Sequence, residues 1–243
     1  LIKAYRKEAE KQDVLFAEVG AWCNLLTLDE TLRKKNLEYT IERLALAEEL
    51  GAKTCVNIIG TRCEENWFGP DAENYSEDFF GEAVDTARRI VDAVKPQRAK
   101  LSFEMMPYSF LDSPEEYLRF LKAADRKEIG VHFDPVNCIN SPRLYYRSGA
   151  FLQEAFRLLG DRIVSIHLKD IRIDHTLVSA AFYEVPIGQG GMDYTVLLRE
   201  AAKLPEQTPL MLEHLAEEQE YDLAAEQVRI TAGKVGAAFW NRK

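Results

Sequence analysis

Four residues able to hold a divalent cation stand at the ends of four hydrophobic segments. They are Glu104 in KLSFEMM, Asp134 in GVHFDPVN, His167 in IVSIHLKD and Glu213 in PLMLEHL. One acid at a strand end usually caps the next helix or is solvated. Four such residues on consecutive segments point to a shared ion. Three carboxylates and an imidazole suit Mn2+ or Mg2+, with Co2+ or Zn2+ as substitutes. In a barrel of parallel strands all carboxyl ends meet at one mouth, so the four would converge there.

The elements that must position them alternate along the chain. Residues 16–22, 54–60 and 100–106 read as strands, followed by 130–134, 163–170 and 209–215. Helical periodicity fills about 31–50, 76–94, 113–125, a stretch ending at Leu159, 194–203, and the chain from Glu218. Gly51 and Gly160 stand where helices end, and Ser113 with Pro114 is a helix start. The first residues, LIKAYRKEAEKQD, form a charged helix rather than a signal peptide. The stretch from Ile171 to Gly191 reads as irregular. This rhythm predicts one α/β domain over residues 1–243, with parallel strands inside a ring of helices. A (β/α)8 TIM barrel has eight strands. With six visible, the expectation is a barrel lacking its first strand–helix–strand. An open, doubly wound six-stranded sheet is the alternative. It would spread the four site residues over about 15 Å, and the barrel is favoured for that reason.

Alternation along a strand puts Ser102 with Glu104 on one face, His132 with Asp134, Ser165 with His167 and Lys169, and Met211 with Glu213. Their neighbours Phe103, Phe133, Ile166, Leu168 and Leu212 suit packing against helices. The net charge of −9 disfavours nucleic acid and anionic membrane surfaces as partners, and no apolar run is long enough to span a bilayer. Four cysteines without paired spacing read as reduced thiols in a cytoplasmic protein. Sheet edges left by absent strands imply that the natural gene is longer, or that a second copy in a homo-oligomer or a second subunit covers them.

Other residues carry less specific signals. Lys169 should face the mouth, to bind a substrate hydroxyl or to pair with Asp134 or Glu184. His132 lies one layer below Asp134, most often a supporting position but open to substrate contact. His214 points away from Glu213 along its strand, and His175 reads as a loop residue. Trp67 and Phe68, on a mouth loop, suit stacking on a sugar ring. The Gly188–Gly191 turn could cradle a phosphate but lacks a P-loop lysine. Arg143 and Arg172 are candidates for an anionic substrate group.

The segments L-S-F-E-M-M-P, V-H-F-D-P-V-N, S-I-H-L-K-D and M-L-E-H resemble the sugar phosphate isomerase/epimerase group of xylose isomerase-like TIM barrels. The resemblance spans roughly residues 14–238 and is closest from Lys100 onward. That group includes ketose 3-epimerases, hydroxypyruvate isomerases and inosose dehydratases, and the catalytic subunits of C-glycoside deglycosidases look similar. The resemblance implies one ion, commonly Mn2+, held by Glu104, Asp134, His167 and Glu213 on the fifth to eighth strands. Asn137 stands where 3-epimerases usually carry a His, and Arg172 is offset from their usual Arg. The function implied is metal-dependent isomerisation or epimerisation of a small sugar through an enediolate, with Glu104 and Glu213 as the acid/base pair. Lys169, His132, Asn137, Arg172 and Trp67 would touch the sugar. A lyase expelling a group beta to the ketone shares the first step. A non-catalytic sugar-binding or partner subunit is a third reading. Endonuclease IV shares the barrel but relies on zinc and many His ligands, whereas this chain has only four His.

Overall fold

The computed structural model describes residues 1–239. Six strands run parallel: β1 (Glu18–Gly20), β2 (Thr54–Asn57), β3 (Lys100–Glu104), β4 (Ile129–Phe133), β5 (Ile163–Leu168) and β8 (Leu210–Leu212). They are hydrogen-bonded in that order, interrupted only in sequence by a separate antiparallel pair, β6 (Asp170–Ile173) and β7 (Phe182–Val185). The order never reverses. A doubly wound sheet needs a reversal at its switch point, so that alternative fails.

The sheet is strongly curled. β1 and β5 are four strand spacings apart, which in a flat sheet is about 19 Å. Yet Glu18 Oε1 on β1 lies 4.0 Å from His167 Nε2 on β5. At the opposite end, Lys53 Nζ donates to Gln207 Oε1 (3.1 Å), joining the entry of β2 to the entry of β8. The result is a partial barrel whose edges are β1 and β8; among the described residues no strand bridges them.

The helices are α1 (Ile2–Lys11), α2 (Glu30–Leu50), α3 (Glu77–Val94), α4 (Pro114–Ala124), α5 (Pro142–Tyr146), α6 (Ser148–Leu159), α7 (Tyr194–Ala201) and α8 (Glu218–Lys234). Their ends follow local chemistry. Asp29, Ser76 and Ser113 accept the backbone N–H three residues on, and Gly51 closes α2 at φ 77°. On α3 the buried stripe Phe79, Ala83, Ala87, Ile90 and Val91 recurs at helical spacing against the sheet. No helix among the described residues is long and apolar enough to cross a membrane. Cys55 and Cys138 are buried, and all four thiols are free.

The alternation read from the sequence holds. Phe103 meets Phe120 of α4 edge-on at 5.7 Å, and Phe133 meets Phe156 of α6 at 5.5 Å. The inward alternates form a small polar layer: Thr54 Oγ1 and Ser102 Oγ are 2.6 Å apart, as are His132 Nδ1 and Ser165 Oγ. The buried Tyr117 hydroxyl accepts from Phe103 N (3.0 Å) and lies 2.8 Å from Phe103 O and 3.0 Å from Gly130 O. It ties β3 to β4 one residue before Glu104.

The stretch expected to be irregular needs correction, since it holds the β6–β7 hairpin. Its organiser is the buried Asp170. Oδ1 accepts from Ile171 N (2.9 Å) and Met192 N (3.1 Å), and Oδ2 from Gly188 N and Gly190 N (both 2.9 Å). A Cβ on Gly190 would fall 2.1 Å from Oδ1, so glycine is required there. The turn considered as a phosphate cradle is therefore already filled by a carboxylate of the chain itself.

Candidate metal centre

Glu104 ends β3, Asp134 follows β4 directly, His167 lies near the end of β5, and Glu213 follows β8. Each can offer one ligand atom within 4.8 Å of the others. Ligands about 2.1 Å from an ion stand up to about 4.2 Å apart, so side-chain adjustment alone closes the group around a cation. The local sequence fixes each donor. Asp134 Oδ1 accepts from Val136 N (3.0 Å) and Asn137 N (3.3 Å), a turn that leaves Oδ2 aimed at the centre. The Asn137 amide donates to Met105 O (3.0 Å) and Glu104 Oε1 (3.4 Å). His167 Nδ1 lies 2.9 Å from Glu213 Oε2, 3.0 Å from Glu104 Oε1 and 3.8 Å from Asp134 Oδ2.

The charge balance is unusual for a purely structural cluster. Lys169 Nζ stands 2.7 Å from Asp134 Oδ2 and 2.9 Å from Glu213 Oε2. Even so, these two oxygens are buried without a partner in hydrogen-bond geometry. Two buried carboxylate oxygens that converge on one imidazole nitrogen, with cationic groups as their neighbours, suit a cation site. Burial raises the Glu104 carboxyl to about 7; the His167 hydrogen bond opposes this and the Asp134 charge adds to it. Burial would neutralise His167, but the carboxylates of Asp134, Glu104 and Glu213 around it lift the ring to about 12. Burial likewise opposes charge on Glu213 and Asp134. His167 and Lys169 hold Glu213 down to about 2, and Lys169 holds Asp134 well below its ordinary value. A proton on His167 and the Lys169 ammonium thus stand where an ion's charge would be.

Above the cluster opens a cavity of about 370 Å³. Its base is formed by Glu104, Asn137, Lys169 and Glu213, and its walls include Trp22, Trp67, Phe68 and Tyr108. The Trp67 and Phe68 rings meet edge-on at 5.2 Å. At the rim, His214 Nδ1 is 2.7 Å from Glu184 Oε2 on β7, and His214 takes a left-handed backbone, φ 57°.

Lys169, Asn137 and Trp67 line the cavity. His132 and Arg172 do not, which corrects their reading as substrate contacts. His132 is fully buried beneath the cluster, kept neutral by burial and by the nearby His167. Arg172 turns outward and donates to Gln189 O. Arg143, on the short helix α5, is also absent from the cavity lining. Glu184, read from the sequence as a possible partner of Lys169, lies 3.6 Å from it, while Trp22, Tyr108 and Glu18 were not anticipated. For Glu18 a signal existed: a carboxylate inside the apolar strand FAEVGAW.

The family described as "Xylose isomerase-like TIM barrel" matches residues 2–232. The chain belongs to the xylose isomerase-like TIM barrel family. Similar solved structures include a family member from Mycobacterium smegmatis in complex with magnesium (16% identity, TM-score 0.68, 96% of this chain and 78% of that one). A D-psicose 3-epimerase with D-tagatose from Clostridium cellulolyticum is also similar (13%, 0.67, 98% and 84%). So is endonuclease IV from Thermus thermophilus (16%, 0.70, 96% and 81%). At these identities the likeness is one of fold. No curated protein matches the chain in sequence.

Proposed function

We propose that this chain is a divalent-metal-dependent sugar isomerase or epimerase that transfers a proton beside a carbonyl. The observation that carries the reading is the buried Glu104–Asp134–His167–Glu213 cluster at the base of a sugar-sized cavity. These four residues would hold Mn2+, with Mg2+ or Co2+ as replacements; a protein of similar fold was solved in complex with magnesium. When bound, the ion supplies Lewis acidity at the carbonyl and neighbouring hydroxyl oxygens. Glu104 and Glu213 come from the outermost of the four strands involved, β3 and β8. One removes the proton from the carbon beside the carbonyl, and the other returns a proton to the enediolate. The raised Glu104 carboxyl suits acid/base work near neutral pH. Asp134, with one oxygen tied into its turn, and His167 act mainly as anchors. Lys169 and Asn137 hydrogen-bond substrate hydroxyls, and Trp67 covers an apolar sugar face. Residues 1–243 work as one domain, and the free thiols suit the cytoplasm.

The cavity favours an uncharged sugar. Its cationic side chain, Lys169, is engaged by two carboxylates, and Glu184 adds a further negative charge 3.6 Å away. A phosphate would face mostly like charge. The apolar wall of Trp22, Trp67, Phe68 and Tyr108 supports a second reading, a lyase whose leaving group has a flat apolar face. DNA as substrate is disfavoured by the net charge of −9 and the acidic cavity base.

The test is a panel of free ketoses and 3-keto glycosides with Mn2+ in D2O, followed by NMR. Deuterium beside the carbonyl of recovered or product sugar is expected. Glu213→Gln should abolish it while leaving circular dichroism unchanged. Unaltered exchange in that variant rejects the role of Glu213, and elimination products from glycosides alone would favour the lyase.

A further inference from the structure

We propose that Glu18 is a positioning residue whose carboxylate accepts the Nε2–H of His167 and so turns Nδ1 toward the cation site. The inference rests on the metal reading above. His167 presents Nδ1 to the acidic cluster, within 3.0 Å of Glu104 and Glu213. A neutral imidazole that gives Nδ1 to an ion must carry its proton on Nε2. The His167 side chain is 5% exposed, and Nε2 faces β1. The acid on that side is Glu18, with Oε1 4.0 Å from Nε2, about 1 Å beyond an ordinary N–H···O bond. Its carboxylate torsion is broad enough to close that gap.

Two further observations mark Glu18 as more than a bystander. Its Oε2 is buried without a hydrogen-bond partner, although it lies 3.6 Å from His132 Nδ1. The fully buried His132 ring stands edge-on to His167, with centroids 4.0 Å apart at 82°, and is itself held by Ser165 Oγ at 2.6 Å. His132 therefore fixes the plane of the His167 ring, and Glu18 selects which nitrogen faces the cluster. A carboxylate behind a ligating His sharpens ligand geometry and basicity, and losing one costs roughly 10- to 100-fold in metal affinity. Glu18, His132 and His167 are also close enough to hold an ion themselves. Filling both sites at once would require His167 to lose both ring protons, which favours the supporting role.

The experiment is Mn2+ titration calorimetry on the full chain and its Glu18→Ala and Glu18→Gln variants, with Zn2+-loaded wild type used for long-range ¹⁵N–¹H NMR of the imidazoles. Expected are one ion per chain, binding weakened roughly 10- to 100-fold in Glu18→Ala, and near-wild-type binding in Glu18→Gln, whose carbonyl still accepts the N–H. In the NMR spectrum His167 should be protonated on Nε2. Unchanged affinity in Glu18→Ala overturns the proposal. So does equal weakening in Glu18→Gln, which would mean direct ligation, and so do two ions per wild-type chain. Wild type that takes up no ion would sink the metal reading itself, and this proposal with it. Should Glu18→Ala not fold, the wild-type spectrum decides: a proton on Nδ1 rather than Nε2 overturns the proposal.

Discussion

Replacing Asp170 by Asn tests whether a buried carboxylate, rather than a bound anion, organises the Gly188–Gly191 turn. Asp170 is 1% exposed and accepts four backbone N–H groups, two on each oxygen. Asn has nearly the same shape but only one accepting oxygen. Its NH2 group must therefore face two of those donors. Each buried N–H left without an acceptor costs about 1–3 kcal/mol, so the variant should lose about 3 kcal/mol. For a chain of this length that is a fall in Tm of about 6–12 °C. Urea denaturation and thermal melts measure it directly. The turn lies beside the β6–β7 hairpin that brings Glu184 to the cavity rim, so the loss should also loosen that hairpin, seen as faster hydrogen exchange at residues 182–185. A loss below about 1 kcal/mol would refute the reasoning, because it would mean that water or an added anion satisfies those donors.

Further outcomes follow from other sites. Tyr117→Phe should cost about 1–3 kcal/mol, read from urea midpoints, because the hydroxyl sits between β3 and β4 where no water replaces it. Trp67→Ala should raise KM with little change in kcat, since its ring lines the wall rather than the reacting centre; an equal fall in kcat and kcat/KM would contradict this. The metal-free protein should lose stability as pH rises above about 4.5. Glu104 has its folded value raised to about 7 and His167 to about 12, so each contributes most below its ordinary value and less as pH climbs toward the raised one. Below that pH, protonation of Glu213, whose folded value is lowered to about 2, removes its contribution as acidity increases. Mn2+ must displace protons from His167 and Glu104, so its stabilisation, measured by melts with and without EDTA, should grow with pH from about 6 to 8. A pH-independent Mn2+ effect would mean that these two groups are not displaced.

The parts of the molecule legible in the sequence are those where one physical pattern dominates. Phe103, Phe133 and Ile166 alternate with Glu104, Asp134 and His167, and period-two alternation fixes which face holds the chemistry. Helix starts at Asp29, Ser76 and Ser113 follow from one side-chain oxygen and one N–H each. The hairpin after β5 was not legible. Its strands are four residues long, β7 shows no buried alternation, and Asp170 at the start of β6 spends its carboxylate on the turn beyond the pair. Glu18 stood out as a carboxylate in an apolar strand, but what it faces was not legible. Its partner His167 lies about 150 residues away, and only the curl of the sheet joins them. The same curl withdrew His132 from the cavity: being one alternation below Asp134 means burial inside a strongly curled sheet, where a flat one would leave it accessible.

The charge count shows how the cluster persists before any ion binds. Glu104, Asp134 and Glu213 are crowded around one imidazole nitrogen, an arrangement that would repel itself apart if all were ionised and unpaired. Three local devices prevent this. The proton that burial and Asp134 keep on part of the Glu104 population removes one charge. His167, held protonated, sits between Glu104 and Glu213. Lys169 spans Asp134 and Glu213. A divalent ion held there would bring two positive charges in exchange for the His167 proton and the remaining proton on Glu104, so the charge at the centre would change little and Lys169 would not have to leave. On that reading Lys169 belongs to the electrostatic frame of the site rather than to a phosphate receptor.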